Sequence, residues 1–163
     1  MATKSAKKSV FGSSSRLNEV VALILLALTV LIFLSLLSFN ENDPSLIAAS
    51  SQKVKNWIGI VGANIAGILF SAVGLVAYVV PILLGLIAWR VFRAESMYAP
   101  IGRIVGFVLF VASFSGLLSV WLTTGFRGGI LGSLVAGSLI ALIGNIGAVV
   151  LLVALFLASI LLI

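Results

Sequence analysis

The 163-residue chain has no cysteine, no histidine and only four acidic residues. Without cysteine there is no disulfide framework, no thiolate nucleophile and no Cys-ligated metal. Without histidine it lacks the commonest general base and the commonest metal ligand. Charge of either sign is scarce, at 9% of residues, where a soluble domain carries about a quarter. Hydrophobic residues make up 62% of the chain, and the mean hydropathy is +1.34. There is too little polar surface to coat a water-soluble globule, and the same numbers exclude disorder. The composition is that of an all-α integral membrane protein.

The few charges punctuate the apolar runs. A basic tail over residues 1–19 holds Lys4, Lys7, Lys8 and Arg16. The run 20–38 that follows is a helix of roughly 28 Å, matching a hydrocarbon core of about 30 Å. It is long for a signal-peptide core, and no small-x-small cleavage site follows closely. Asn40 to Ser45 is the most polar segment, and Asp43 before Pro44 has the pattern of an N-cap opening a short surface helix. The next span is expected at 63–89, with 57–62 at the interface and a kink at Pro81. The third is expected at 104–123 and the fourth at 147–163. An apolar helix at 129–143 precedes the fourth. It reaches only about 22 Å, so it is interfacial or re-entrant. The expected architecture is four transmembrane helices plus this short one.

Orientation follows the distribution of basic residues. The tail and the 90–103 loop, with Arg90, Arg93 and Arg103, carry seven of the ten; Lys53, Lys55 and Arg127 lie on the other side. Both termini are therefore expected in the cytoplasm. Trp57, Trp89 and Trp121 fall near span ends, as interfacial tryptophans do. Small residues recur four apart at Ala63, Gly67 and Ser71, at Gly102 and Gly106, and at Gly128, Gly132 and Ala136. Such rows let helices approach closely, and packing within one subunit is favoured over a subunit interface.

Several chemistries are missing. No lysine follows a glycine, so there is no phosphate-binding loop. No acid falls in the middle of a span, which argues against a transporter or proton pump. No catalytic, cofactor or metal site is expected. The net charge of +6 is that of residues flanking span ends and a tail touching anionic lipid, not of a nucleic-acid surface.

The ordered motifs are Ser38-Phe39-Asn40-Glu41-Asn42-Asp43-Pro44-Ser45, then Val54-x-Asn56-x-x-Gly59-x-x-Gly62-Ala63, then Gly128-Gly129-x-x-Gly132 and Gly144-x-x-Gly147-Ala148. With them, the chain from about Arg16 to Ile163 resembles the N-terminal four-span membrane region of the FtsK/SpoIIIE DNA translocases. The resemblance implies a bacterial inner-membrane protein that anchors a hexameric DNA-pumping motor at the division septum and assembles with its own copies and other division proteins. The motor, its linker and the DNA-reading module are absent from these residues, so no catalytic residue carries over. The charge-free ending at Ile163 leads us to expect a fragment of a longer protein. The rival readings are a stand-alone channel-like or transporter subunit and a structural partner of a membrane enzyme. Four scattered tail charges cannot hold DNA against counterions, so duplex binding followed by fluorescence anisotropy is expected to vanish by about 0.2 M salt. Salt-resistant binding would overturn this assignment.

Overall fold

The structure, a computed structural model, describes residues 15–46, 53–95, 100–122 and 128–163. The basic-tail residues Lys4, Lys7 and Lys8, together with Arg127, lie outside these. The helices are α1 (Ser15–Leu37), α2 (Gly59–Val73), α3 (Val79–Phe92), α4 (Ile101–Trp121) and α5 (Gly129–Leu162), with a 3-10 turn, Gly74–Tyr78, joining α2 to α3. Among the described residues, four helical stretches are long and apolar enough to cross a membrane: Arg16–Leu37, Gly59–Phe92, Ile101–Trp121 and Gly129–Leu162. In hydrocarbon every peptide N–H and C=O must be bonded within its own segment, and a continuous helix achieves this for an apolar sequence without capping side chains. Stray hydroxyls follow the same rule. Thr29, Ser35, Ser113 and Ser138 each donate to the carbonyl four residues back, at 2.6–2.8 Å.

The two 34-residue stretches are not straight rods. α1 and α3 run antiparallel, with Thr29, Val30 and Phe33 beside Pro81 and Ile82 at one end of the seam. At the other end Ala22, Leu23 and Leu26 meet Ala88, Trp89 and Phe92. α2 instead lies across the last turns of α1. Gly62 sits on Ser35, and Phe70 stacks on Phe39 at 4.5 Å between ring centroids. Leu36, Ala66, Phe70 and Ala77 form the buried cluster beneath. Tyr78 closes it, donating its hydroxyl to the Leu36 carbonyl at 3.1 Å.

The second half repeats this plan. After Gly144, with φ 72° and ψ 173°, the second arm of α5 runs antiparallel to α4. Leu162 lies on Gly106, Leu152 on Gly116, and Phe156 5.4 Å from both Phe110 and Phe114. The first arm, 129–143, crosses α4 near its end, where Gly132 rests on Ser115 and Val135 touches the space beside Gly116. Each half is thus a span, a crosswise helix and a returning span.

The sequence carries the same repeat. The pattern Gly-Ile-x-Gly-x-x-x-Ala-Gly-x-Leu-x-x-x-x-Gly-x-x-x-x-Val-Val reads from Gly59 to Val80 and again from Gly129 to Val150. Among the described residues the glycines with positive φ are Gly59 and Gly129 (68° and 66°), which open the crosswise helices, and Gly74 and Gly144 (64° and 72°), which close them. Side chains rarely tolerate that backbone region. Ser35 and Ser115 are a further matched pair, each with its hydroxyl 2.8 Å from where a Cβ would stand on Gly62 or Gly132.

Several expectations change. The span predicted at 63–89 is divided: 63–73 belongs to the crosswise α2, and the returning span is Gly74 to Phe92. At 1.5 Å per α-helical and 2 Å per 3-10 residue it covers about 31 Å. Pro81 does not kink a helix, because α3 begins at Val79. In a first turn its missing N–H has no partner to lose, and the bend lies upstream at Gly74. The helix predicted at 129–143 is the first arm of α5. The other spans shift by a few residues, to α1, α4 and 145–162. No helix starts at Pro44: residues 41–42 form a turn, 43–46 are non-helical, and 47–52 lie outside the described residues.

Candidate functional site

The most polar constellation sits where α1, the 38–58 loop and α2 meet. Asn42 is exposed at the turn, its amide donating to Asn40 Oδ1 at 2.9 Å. Pro44, half-buried, follows Asp43, a residue only 4% exposed that carries the carboxylate. It accepts two backbone amides from across the loop, Lys55 N–H on Oδ1 and Asn56 N–H on Oδ2, both at 2.9 Å. Asn56, also buried, donates its side-chain amide to the Ser35 carbonyl at 2.8 Å and to the Ser38 carbonyl at 3.4 Å. These are carbonyls of the end of α1, where a helix has acceptors left over. Its Oδ1 accepts from Ile58 at 3.1 Å. Ser38 Oγ accepts from Trp57 N–H at 3.0 Å while donating to Leu34 O. Asn64 on α2 accepts the Leu46 amide at 2.7 Å.

The loop motif thus converges on one clasp. Gly59, at φ 68°, turns the chain from Asn56 into α2. Gly62 is small by necessity: a Cβ there would touch Asn56 Oδ1 and stand 2.8 Å from Ser35 Oγ. The clasp uses a carboxylate and an amide to satisfy backbone groups. It has no free nucleophile or acid–base pair. Among the described residues no cluster of His, Cys, Asp or Glu is arranged to hold a metal. Two apolar clefts on the α1–α3 seam, of about 220 and 230 Å³, contain no ionisable side chain.

The proposed packing residues divide. Ala63, Gly67 and Ser71 are buried in a row on α2, and Gly67 faces Ser45 with ordinary room for a Cβ at 3.4 Å. Gly106, Gly128 and Gly132 are in tight contact, with Leu162, Ser119 and Ser115 respectively. Among the described residues, a Cβ on Gly102 meets nothing within 4 Å. Gly116 escaped notice. Leu152 lies 3.0 Å from its notional Cβ, and the small Ser115-Gly116 pair in the midst of an aromatic-rich span was the available signal.

The arginines Arg16, Arg90, Arg93 and Arg103 are all exposed. They lie at the start of α1, the end of α3 and the start of α4, one end of the bundle. Lys53 and Lys55 lie at the end that holds the clasp. Arg93 stands 5.3 Å from the Trp89 ring centroid and 3.5 Å from Glu95, an exposed pair that contributes little.

Fold and site together define a four-span helical membrane protein with a structural polar clasp and two glycine-bent crosswise helices. The family described as the 4TM region of DNA translocase FtsK/SpoIIIE matches residues 14–163, and the chain belongs to it. It is 33% identical over 147 residues to DNA translocase FtsK of Shewanella oneidensis, covering 84% of this chain and 16% of that protein. With DNA translocase FtsK of Pseudomonas syringae pv. syringae the identity is 33% over 156 residues, 87% of this chain and 19% of the relative. With that of Pseudomonas aeruginosa it is 36% over 110 residues, 63% and 14%. The chain therefore spans less than a fifth of the length of these relatives and matches their membrane region, not an ATPase motor. No solved structure matches it.

Stranding a buried amide costs about 1–3 kcal/mol, so Asp43→Ala, which strands the buried Asn56 amide and releases the part-buried Lys55 amide, is expected to cost about 1–3 kcal/mol in thermal melting of the detergent-solubilised chain. Gly102→Ala, at an open position, should leave the midpoint unchanged. Equal midpoints for Asp43→Ala and the parent would show that the clasp stabilises nothing.

Proposed function

We propose that this chain is the membrane-anchoring, septum-targeting and assembly segment of a DNA translocase acting in cell division and chromosome segregation. The observation that carries the reading is the family match across residues 14–163, with relatives named as DNA translocases of which the chain covers under a fifth. The chain lies in the bacterial inner membrane with both termini in the cytoplasm. The gathering of Arg16, Arg90, Arg93 and Arg103 at one bundle end supports that orientation. It performs no catalysis, and its copies associate, bringing the motors carried by full-length proteins together at raised effective concentration. The segment does more than anchor. One apolar helix of about twenty residues already holds a protein in a bilayer, whereas this one encloses a buried polar clasp.

The test is a fluorescent fusion of the chain in a dividing Pseudomonas or Shewanella host. It should concentrate at midcell in constricting cells, and a uniform signal around the envelope would contradict septum targeting. In the same cells Lys53→Cys should react with a membrane-impermeant maleimide from outside and Arg93→Cys only after permeabilisation. The reverse pattern would invert the topology.

A further inference from the structure

The two repeats meet inside the chain through one joint, and each leaves the other half of such a joint unused. At the internal joint Gly129, which opens the second crosswise helix, lies against the closing end of the first. A Cβ on Gly129 would be 2.6 Å from the nitrogens of Val73 and Gly74 and 2.7 Å from the Ala72 carbonyl carbon. Ser115, at the same level of α4, shares its hydroxyl between the Gly128 carbonyl and the Val73 carbonyl, the latter at 3.2 Å. The 3-10 turn that follows Val73 touches both α4 and α5, and Val76 within it is 2% exposed.

Applying the repeat correspondence names the two unused halves. The counterpart of Gly129 is Gly59, and the counterpart of Gly74 is Gly144. Among the described residues, a Cβ on either meets nothing within 4 Å. The counterpart of the covered Val76 is Ile146, which is 84% exposed, beside Leu142 at 80%. Lipid alone would account for bare apolar residues. What names an occupant is the repeat, because the corresponding surfaces at Gly129 and Val76 are covered by the other half of the same chain.

We propose that the opening end of α2, at Gly59, docks on the closing end of the first arm of α5, at Leu142–Ile146, of a second copy of this chain, reproducing the Gly129–Gly74 joint between subunits. The contact is head-to-tail: different surfaces meet, so each added copy presents the same free surface again. All copies share one orientation in one bilayer plane, so the series grows within that plane. The proposal deepens the assembly role above and rests on it for the expectation that copies associate.

Cysteine crosslinking tests it directly, because the chain has no native cysteine. Ile60→Cys and Ile146→Cys both fall on exposed side chains. In liposomes, oxidation of the double variant should give a ladder of multimers. A mixture of the two single variants should give a heterodimer, and Ile146→Cys alone only monomer. A dimer from Ile146→Cys alone would mean that like surfaces meet and would overturn the head-to-tail contact. No crosslink in any arm, with oligomers still counted by single-molecule photobleaching, would overturn the contact and leave the assembly role standing. Single copies by photobleaching would overturn both.

Discussion

A carboxylate with almost no access to water is the constraint from which the first half of the molecule follows. Burying a charge is costly unless it is hydrogen-bonded, and Asp43 meets that requirement with two backbone amides drawn from beyond the far side of its loop. Fixing Lys55 and Asn56 in this way puts the Asn56 side chain under the end of α1, where it bonds carbonyls the helix leaves unpaired. Asn56 in turn leaves no space for a side chain at Gly62. α2 therefore enters close against Ser35 and lies across α1 rather than alongside it.

Once α2 lies crosswise, the chain has to turn sharply to cross the membrane again, and Gly74 supplies the positive φ that the turn needs. The second half solves the same problem with Gly144. It has no counterpart of Asp43 among the described residues, and its crosswise arm is held by close backbone approach at Gly128 and Gly132 and by the Ser115 hydroxyl, which the Gly128 and Val73 carbonyls share. Backbone contact at glycine suits a membrane interior, where side-chain hydrophobicity gives no preference for protein over lipid. The contact between halves is made by the two crosswise helices together with the 3-10 turn and Ser115 of α4.

The spans bounded by charges at both ends were legible. α1 and α4 fall within a few residues of the apolar runs, because a charge is expensive in hydrocarbon and marks the edge. The second and fourth runs were not, since uniform apolarity carries no sign of a bend. Pro81 drew the expected kink to the wrong place, while Gly74 was one of 16 glycines with nothing local to distinguish it. The repeat would have distinguished it, as Gly59 to Gly74 and Gly129 to Gly144 share spacing and flanking residues. Asp43 shows the complementary difficulty. Its neighbour Pro44 suggests a local cap, yet its partners lie twelve and thirteen residues on, beyond any short pattern. The small-residue row on α2 is buried and Gly106 lies against Leu162, while nothing among the described residues lies within 4 Å of a Cβ on Gly102.

The central claim is that the Asp43 carboxylate organises the meeting of α1, the loop and α2. Amide hydrogen exchange of the chain in lipid nanodiscs, read residue by residue, tests it most directly. In the parent, the Lys55 and Asn56 amides should exchange as slowly as helical amides of α2. In Asp43→Ala both should exchange at open-loop rates, while the amides of α4 remain protected. Fast exchange at Lys55 and Asn56 in the parent itself would contradict the account.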